Sequence, residues 1–312
     1  MDVSFAAYER CMLCPRRCGA RRTDGRAGVC GCTSALRVAR AALHFWEEPP
    51  ISGESGSGAI FFSGCPLRCI FCQNEKISHE GYGIEVTAER LATMMIELQA
   101  QGALNINLVT PLHFAPHLCV AIDLARADGL TLPIVCNTSG YETAELVHAM
   151  ADRIDVWLTD FKYASSAVAR RLSAAADYPQ MASDALDAML ASLRRQGGRA
   201  LNEDGTMLRG IIVRHLVLPG HVGDSMAVVD RVWEIAGNEV DLSIMNQYTP
   251  NKRCRSLSGP LAHGLDEDEY DLVVCRADEV GFQNIWWQEG GTVSESFVPD
   301  FDATGVLSTA RR

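Results

Sequence analysis

The sequence predicts an α/β fold: an incomplete (β/α)6 barrel preceded by a small Cys-rich N-terminal module. Apolar runs rich in Val, Ile, Leu or Phe alternate with stretches of helical periodicity, the pattern of a parallel sheet covered by helices. Polar residues collect at the C-terminal ends of those runs, and the composition changes near residue 50.

Strands are expected at 59–63, 105–110, 133–136, 154–159, 210–218 and 241–245, with 282–287 as one extra strand. Amphipathic helices are expected between them, among them 87–101, with Thr87 as N-cap and Gly102 as stop, and 266–279, with an acidic first turn. Six βα alternations fit an incomplete barrel better than a closed eight-fold one, and a doubly wound open sheet is the competing architecture. The chain divides into a Cys-rich metal-binding module (1–50), the (β/α)6 domain (51–290) and a C-terminal tail (291–312). The first boundary is drawn at Glu47-Glu48-Pro49-Pro50 and the flexible Ser- and Gly-rich run over 52–58.

Within 312 residues there are 12 cysteines, eight of them before Asn74 in close groups, which argues for metal ligation in a reducing cytoplasm. No run approaches the ~18 to 20 apolar residues of a membrane span, and the N-terminus lacks the pattern of a signal peptide, so a cytoplasmic protein is expected. A net charge of −11 argues against a broad electrostatic grip on nucleic acid. Residues 1–40 run the other way, with eight arginines against three acidic residues. Such a segment either offsets the charge of thiolate-bound metal or forms a solvated basic face.

The segment 64–72 contains Cys65, Cys69 and Cys72 in the spacing C-x3-C-x2-C, at the end of the first expected strand. Iron–sulfur and zinc sites normally take four protein ligands, so three thiolates in one short loop leave one metal position open. A zinc site completed by His79 is the other reading of the same spacing.

This triad resembles the signature of the radical S-adenosylmethionine (SAM) superfamily. Further segments, at 58–64, 72–74, 105–111, 137–142, 160–163, 214–220 and 245–250, resemble a subgroup similar to pyruvate formate-lyase activating enzymes. The resemblance implies a partial (β/α)6 radical SAM barrel with a [4Fe-4S] cluster whose unique iron is chelated by the amino and carboxylate groups of SAM. It also implies a 5′-deoxyadenosyl radical that abstracts hydrogen from a partner, and a flavodoxin- or ferredoxin-type electron donor. Carried over by position, Phe71 is similar to the adenine-contacting aromatic, Asp160 and Lys162 to the Asp-Leu-Lys motif of the SAM pocket, and Arg214 to the arginine of the later Arg-x-x-Val-x-Pro-Gly strand. Two departures stand out. The Gly-Gly-Glu element is absent, so Thr110 and His113 are expected to take its place. Asn137 replaces the aspartate of the Asp-Thr-Asn-Gly motif and loses a charge where those enzymes hold a monovalent cation. Asn137, Ser139 and Gln247, at strand ends, complete the expected SAM site.

Cys11, Cys14, Cys18 and Cys30, with Cys32 as a spare, form a second group. Four thiolates in glycine-punctuated loops suit a closed site for zinc or a second iron–sulfur cluster, and metal would supply folding energy there. Cys119, Cys136 and Cys275 read as core thiols, and His215 is expected to point away from Arg214 across the sheet. If the resemblance extends to function, the substrate is a glycine of a glycyl radical enzyme. Radical modification of a metabolite, peptide or RNA base is the alternative, and a non-catalytic iron–sulfur or zinc protein is the third reading.

Overall fold

A computed structural model of the chain describes residues 1, 3–288 and 298–307. Its strands are β1 (Arg37–His44), β2 (Ser57–Phe62), β3 (Ile84–Glu85), β4 (Ile106–Val109), β5 (Ile134–Thr138), β6 (Val156–Asp160), β7 (Ala200–Leu201), β8 (Met207–Leu216), β9 (Asp241–Met245) and β10 (Ile285–Trp287). The helices are α1 (Pro49–Ser52), α2 (Glu75–Ser78), α3 (Ala88–Ala100), α4 (Ala115–Ala127), α5 (Ala144–Met150), α6 (Ser166–Ser173), α7 (Tyr178–Arg195), α8 (Val222–Ala236), α9 (Lys252–Arg255) and α10 (Glu267–Val280).

Spatial order along the sheet is β10-β9-β8-β6-β5-β4-β2-β1-β3, with β7 paired to β8 off this path. From β2 to β10 the neighbours are parallel and follow chain order. A doubly wound sheet reverses direction at a switch point, whereas this unbroken progression is that of an incomplete barrel. The extra strand expected at 282–287 is β10, which extends the six to seven. β2, β4 and β5 are buried along their whole length, as strands covered on both faces must be. Side-chain N-caps start the helices: Thr87 accepts from the Arg90 amide, Thr143 from Leu146 and Ser165 from Val168.

The N-terminal boundary differs from the sequence expectation. β1 pairs antiparallel with β2 from Val38↔Phe62 to His44↔Ser57, so residues 37–44 belong to the sheet. The run over 52–58 is not a free linker either. Gly58, the second residue of β2, donates its amide to Asn105 O, and a β-carbon there would lie 2.9 Å from that oxygen. The small residue serves close packing. Of the expected tail, residues 298–307 are described and the remainder of 291–312 lies outside the described residues. Ala303 donates to Ala39 O, Thr304 O accepts from Ala41, and Phe301 packs edge-on against Phe61. Cys119 and Cys136 are buried as expected, but Cys275 is exposed. It lies off the face of α10 that buries Tyr270, Val273 and Ala277.

Candidate active site

The cysteine loop leaves β2 at Phe62. Ser63 donates its amide to Arg37 O, Gly64 to Ile77 O and Cys65 to Cys30 O. Gly64 sits at φ +82, where a β-carbon would collide with Cys32 Sγ and Cys30 O, so only glycine fits between the two cysteine groups. Cys65, Cys69 and Cys72 all line one cavity. Burial pushes the Cys65 thiol up to about 12, with the neighbouring Cys69 and Cys72 sulfurs adding to the rise. Burial and then Cys69 raise Cys72 as well. Ligation must therefore displace protons from these thiols. Two sulfurs already have hydroxyl donors: Ser173 Oγ donates to Cys69 Sγ at 3.1 Å and Ser78 Oγ to Cys72 Sγ at 3.2 Å. Among the described residues no three His, Cys, Asp or Glu side chains converge on the position of a single ion. A four-iron cubane takes each cysteine on a different iron, and three cysteines of one loop lining a single cavity suit that group.

The same cavity is lined by a charged network. Lys162 Nζ lies 2.6 Å from Asp160 Oδ2, and Arg214 Nε lies 3.0 Å from Asp160 Oδ1. Arg214 also donates to Glu47 Oε1 at 2.9 Å and to Asn137 Oδ1 at 2.7 Å. Glu47 Oε2 in turn accepts from Asn107 at 2.6 Å and Asn137 at 3.0 Å. Burial opposes ionisation of Asp160, but Lys162 and Arg214 outweigh it and hold the carboxyl below its usual range. Burial pushes Glu48 up to about 7, against the pull of Arg214.

Most of the residues singled out from the sequence meet in this cavity: Phe71, Thr110, Asn137, Ser139, Asp160, Lys162, Arg214 and Gln247 all line it. His113 does not join them. Thr110 takes φ +55 and a 3-10 turn follows, which carries His113 beneath the cysteine loop, where its ring is buried and meets Ser63 O at 2.8 Å. Burial, with Arg22 nearby, drops its pKa to about 3, so it is neutral there. His215 does point away from Arg214, onto Phe161 O. The sequence reading missed Glu47 and Glu48, which line the cavity from the turn after β1. Their only signal in the sequence is two adjacent carboxylates before Pro-Pro, which reads as a boundary.

The N-terminal cysteines sit behind the same loop. Backbone bonds from Cys11 to Ala20 O, Gly19 to Cys11 O and Arg17 to Cys14 O fold residues 11–20 into a compact turn. Cys11 and Cys30 are buried, Cys14 is half-buried and Cys18 is exposed. Cys18 and Cys30 flank Gly28, and buried Cys32 donates to Ser63 O at 3.2 Å. Arg22 is 0% exposed beside them. It donates to His113 O at 2.6 Å, twice to Thr33 O and to Cys11 Sγ at 3.7 Å, and lies over the Tyr8 ring. Among the described residues it makes no ion pair with a carboxylate.

Comparison with known proteins matches part of the chain to a family model. Residues 59–197 match the model of the radical SAM superfamily. The uncharacterized protein MJ0674 of Methanocaldococcus jannaschii is 25% identical over 267 residues, 82% of this chain and 70% of its own. A radical SAM methyltransferase from Sphaerobacter thermophilus shares the fold at a TM-score of 0.50 and 11% identity, over 75% of this chain and 67% of that one. SuiB of Streptococcus suis, solved with S-adenosylmethionine bound, aligns at a TM-score of 0.49 and 12% identity over 72% of this chain, which spans 48% of SuiB. The matched segment runs from β2 through the cysteine loop and across β4 to β6, and the chain therefore carries a radical SAM superfamily domain, which implies SAM cleavage with an iron–sulfur cluster.

Proposed function

We propose that Cys65, Cys69 and Cys72 hold a [4Fe-4S] cluster with one iron left for SAM, and that the protein is an activating-type radical SAM enzyme. One observation carries this reading: three thiols on a single loop line a cavity that is also lined by paired carboxylates and cations. When bound, the reduced cluster supplies the electron that splits SAM into methionine and a 5′-deoxyadenosyl radical able to take hydrogen from a partner. The chain's own residues bind and orient. Lys162 and Arg214 suit a carboxylate, and Asp160 and Glu47 suit an ammonium group, so the wall matches a zwitterion in both signs. Phe71, buried between Tyr163 and Tyr248, offers a ring for adenine. Thr110, Asn137, Ser139 and Gln247 supply polar groups around it.

Cys11, Cys14, Cys18 and Cys30 would hold a second metal centre, zinc or iron–sulfur. A buried cation without a carboxylate partner supports this, because an anionic thiolate centre would balance Arg22. The partner that loses hydrogen is read as a glycyl radical enzyme, on the strength of the motifs at 137–142, 160–163 and 214–220. A metabolite, peptide or RNA base would need the same cavity. A flavodoxin- or ferredoxin-type donor in the cytoplasm would supply electrons.

The test is anaerobic reconstitution with iron and sulfide, then reduction in the presence of SAM. The wild-type protein should release 5′-deoxyadenosine and Cys69→Ala should not. Two fully ligated centres without SAM turnover would mark a non-catalytic metal protein. Deuterium from a labelled glycine partner should appear in 5′-deoxyadenosine, and its absence with every candidate partner removes the activating role.

A further inference from the structure

The side chain of Arg16 ties three pieces of the molecule together. It leaves the turn between Cys14 and Cys18 and spends its guanidinium on four backbone carbonyls. Nε donates to Pro66 O at 2.9 Å and Nη2 to Leu67 O at 3.2 Å, both inside the Cys65–Cys72 loop. Nη2 also donates to Ser173 O at 2.7 Å and Nη1 to Ala174 O at 2.5 Å, at the C-terminal end of α6. The guanidinium carbon lies 5.1 Å from the centre of the Tyr141 ring, which fixes the plane of the fork.

Each of these carbonyls has a reason to need a cation. Those ending α6 lack helical amide partners and carry the negative end of the helix dipole, and Ala174 closes the helix in a left-handed conformation. Pro66 and Leu67 lie in a loop that bends sharply, with Arg68 at φ +54, and no strand neighbour takes up their oxygens. A planar fork can satisfy carbonyls from two elements at once, and a lysine ammonium cannot reproduce that geometry. The end of α6 also meets the loop directly. Leu172 O accepts the Ile70 amide at 2.9 Å, and Ser173 Oγ donates to Cys69 Sγ while sharing a hydrogen bond with Tyr163 Oη at 2.7 Å. The position of Cys69 and of its hydroxyl donor therefore depends on the distance that Arg16 sets between loop and helix.

We infer that Arg16 is a positioning residue that clamps the Cys65–Cys72 loop to the end of α6 and couples the N-terminal cysteine turn to the radical SAM site. The inference rests on the reading of that loop as the cluster loop. Whatever orders the Cys14–Cys18 turn, bound metal included, orders the clamp.

The test uses the full-length reconstituted protein and Arg16→Met and Arg16→Lys. Hydrogen–deuterium exchange should quicken about tenfold over 66–72 and 172–174 in Arg16→Met, as expected for losing charge-assisted bonds, with the rest of the chain unchanged. A chelator should strip iron from the same variant about tenfold faster, and Arg16→Lys should fall between the two. Wild-type exchange and wild-type iron release in Arg16→Met would overturn the inference. Should Arg16→Met fail to fold, Arg16→Lys decides: faster exchange confined to the two segments supports the clamp, and uniform or unchanged exchange contradicts it. Cys69→Ala separates this inference from the cluster reading. If Cys69→Ala keeps its full iron while Arg16→Met still loosens both segments, the cluster assignment falls and the clamp stands.

Discussion

The Cys65–Cys72 loop and the Cys11–Cys30 loops use the same residue type at nearly the same spacing, but the fold treats them differently. The first hangs from the end of β2, the last strand of the parallel run, with serine hydroxyls behind two sulfurs and an open cavity in front. The second has turns rather than strands around it and turns inward onto Arg22, Tyr8 and Phe114. Reactivity at a thiolate centre follows from what the fold leaves open beside it, and cysteine spacing alone does not distinguish an open site from a closed one.

Substitutions that break this contrast should differ in kind as well as size. Cys69→Ala should bring 5′-deoxyadenosine formation to background, measured by chromatography, whereas Cys14→Ser should lower metal content and melting temperature without removing SAM cleavage. Arg22→Met leaves buried carbonyls of Thr33 and His113 without a donor and should destabilise the protein by about 2–6 kcal/mol in chemical denaturation, about 1–3 kcal/mol for each carbonyl.

Glu142 lies near Cys14, on the side of the second region. It accepts from Thr138 Oγ1 at 2.6 Å, is 5% exposed, and is pushed by burial up to about 7. The folded state thus holds this proton more tightly than the unfolded chain, so its contribution is complete below the ordinary carboxyl range and is lost as pH rises through about 7. Glu142→Gln should flatten the fall in stability between pH 5 and 8, an effect of about 3 kcal/mol followed by urea unfolding. The smallest expected effect is that of Ser173→Ala. Removing the donor to Cys69 Sγ should lower the midpoint potential of the cluster in an EPR-monitored titration while iron content stays at the wild-type level.

Much of the site could be read from linear order. The alternation of strands and helices follows from local periodicity, Asn137, Asp160 and Lys162 from the rule that parallel strands present ligands at their C-terminal ends, the triad from its spacing, and Arg214 from the family resemblance alone. What could not be read depended on contacts between distant segments. β1 shows no clear alternation of buried and exposed positions, so its pairing with β2 has no local signature. Glu47 joins Arg214 across 167 positions, and His113 is turned away by a positive φ at Thr110 that its residue type does not announce.

The central claim is that one iron of the cluster carries no protein side chain and takes SAM instead. Electron–nuclear double resonance on the reduced protein, with SAM labelled at its amino nitrogen and carboxyl carbon, measures this directly. Hyperfine coupling from both labels to the cluster is the predicted result. A reducible four-iron cluster with no coupling to either label would contradict it.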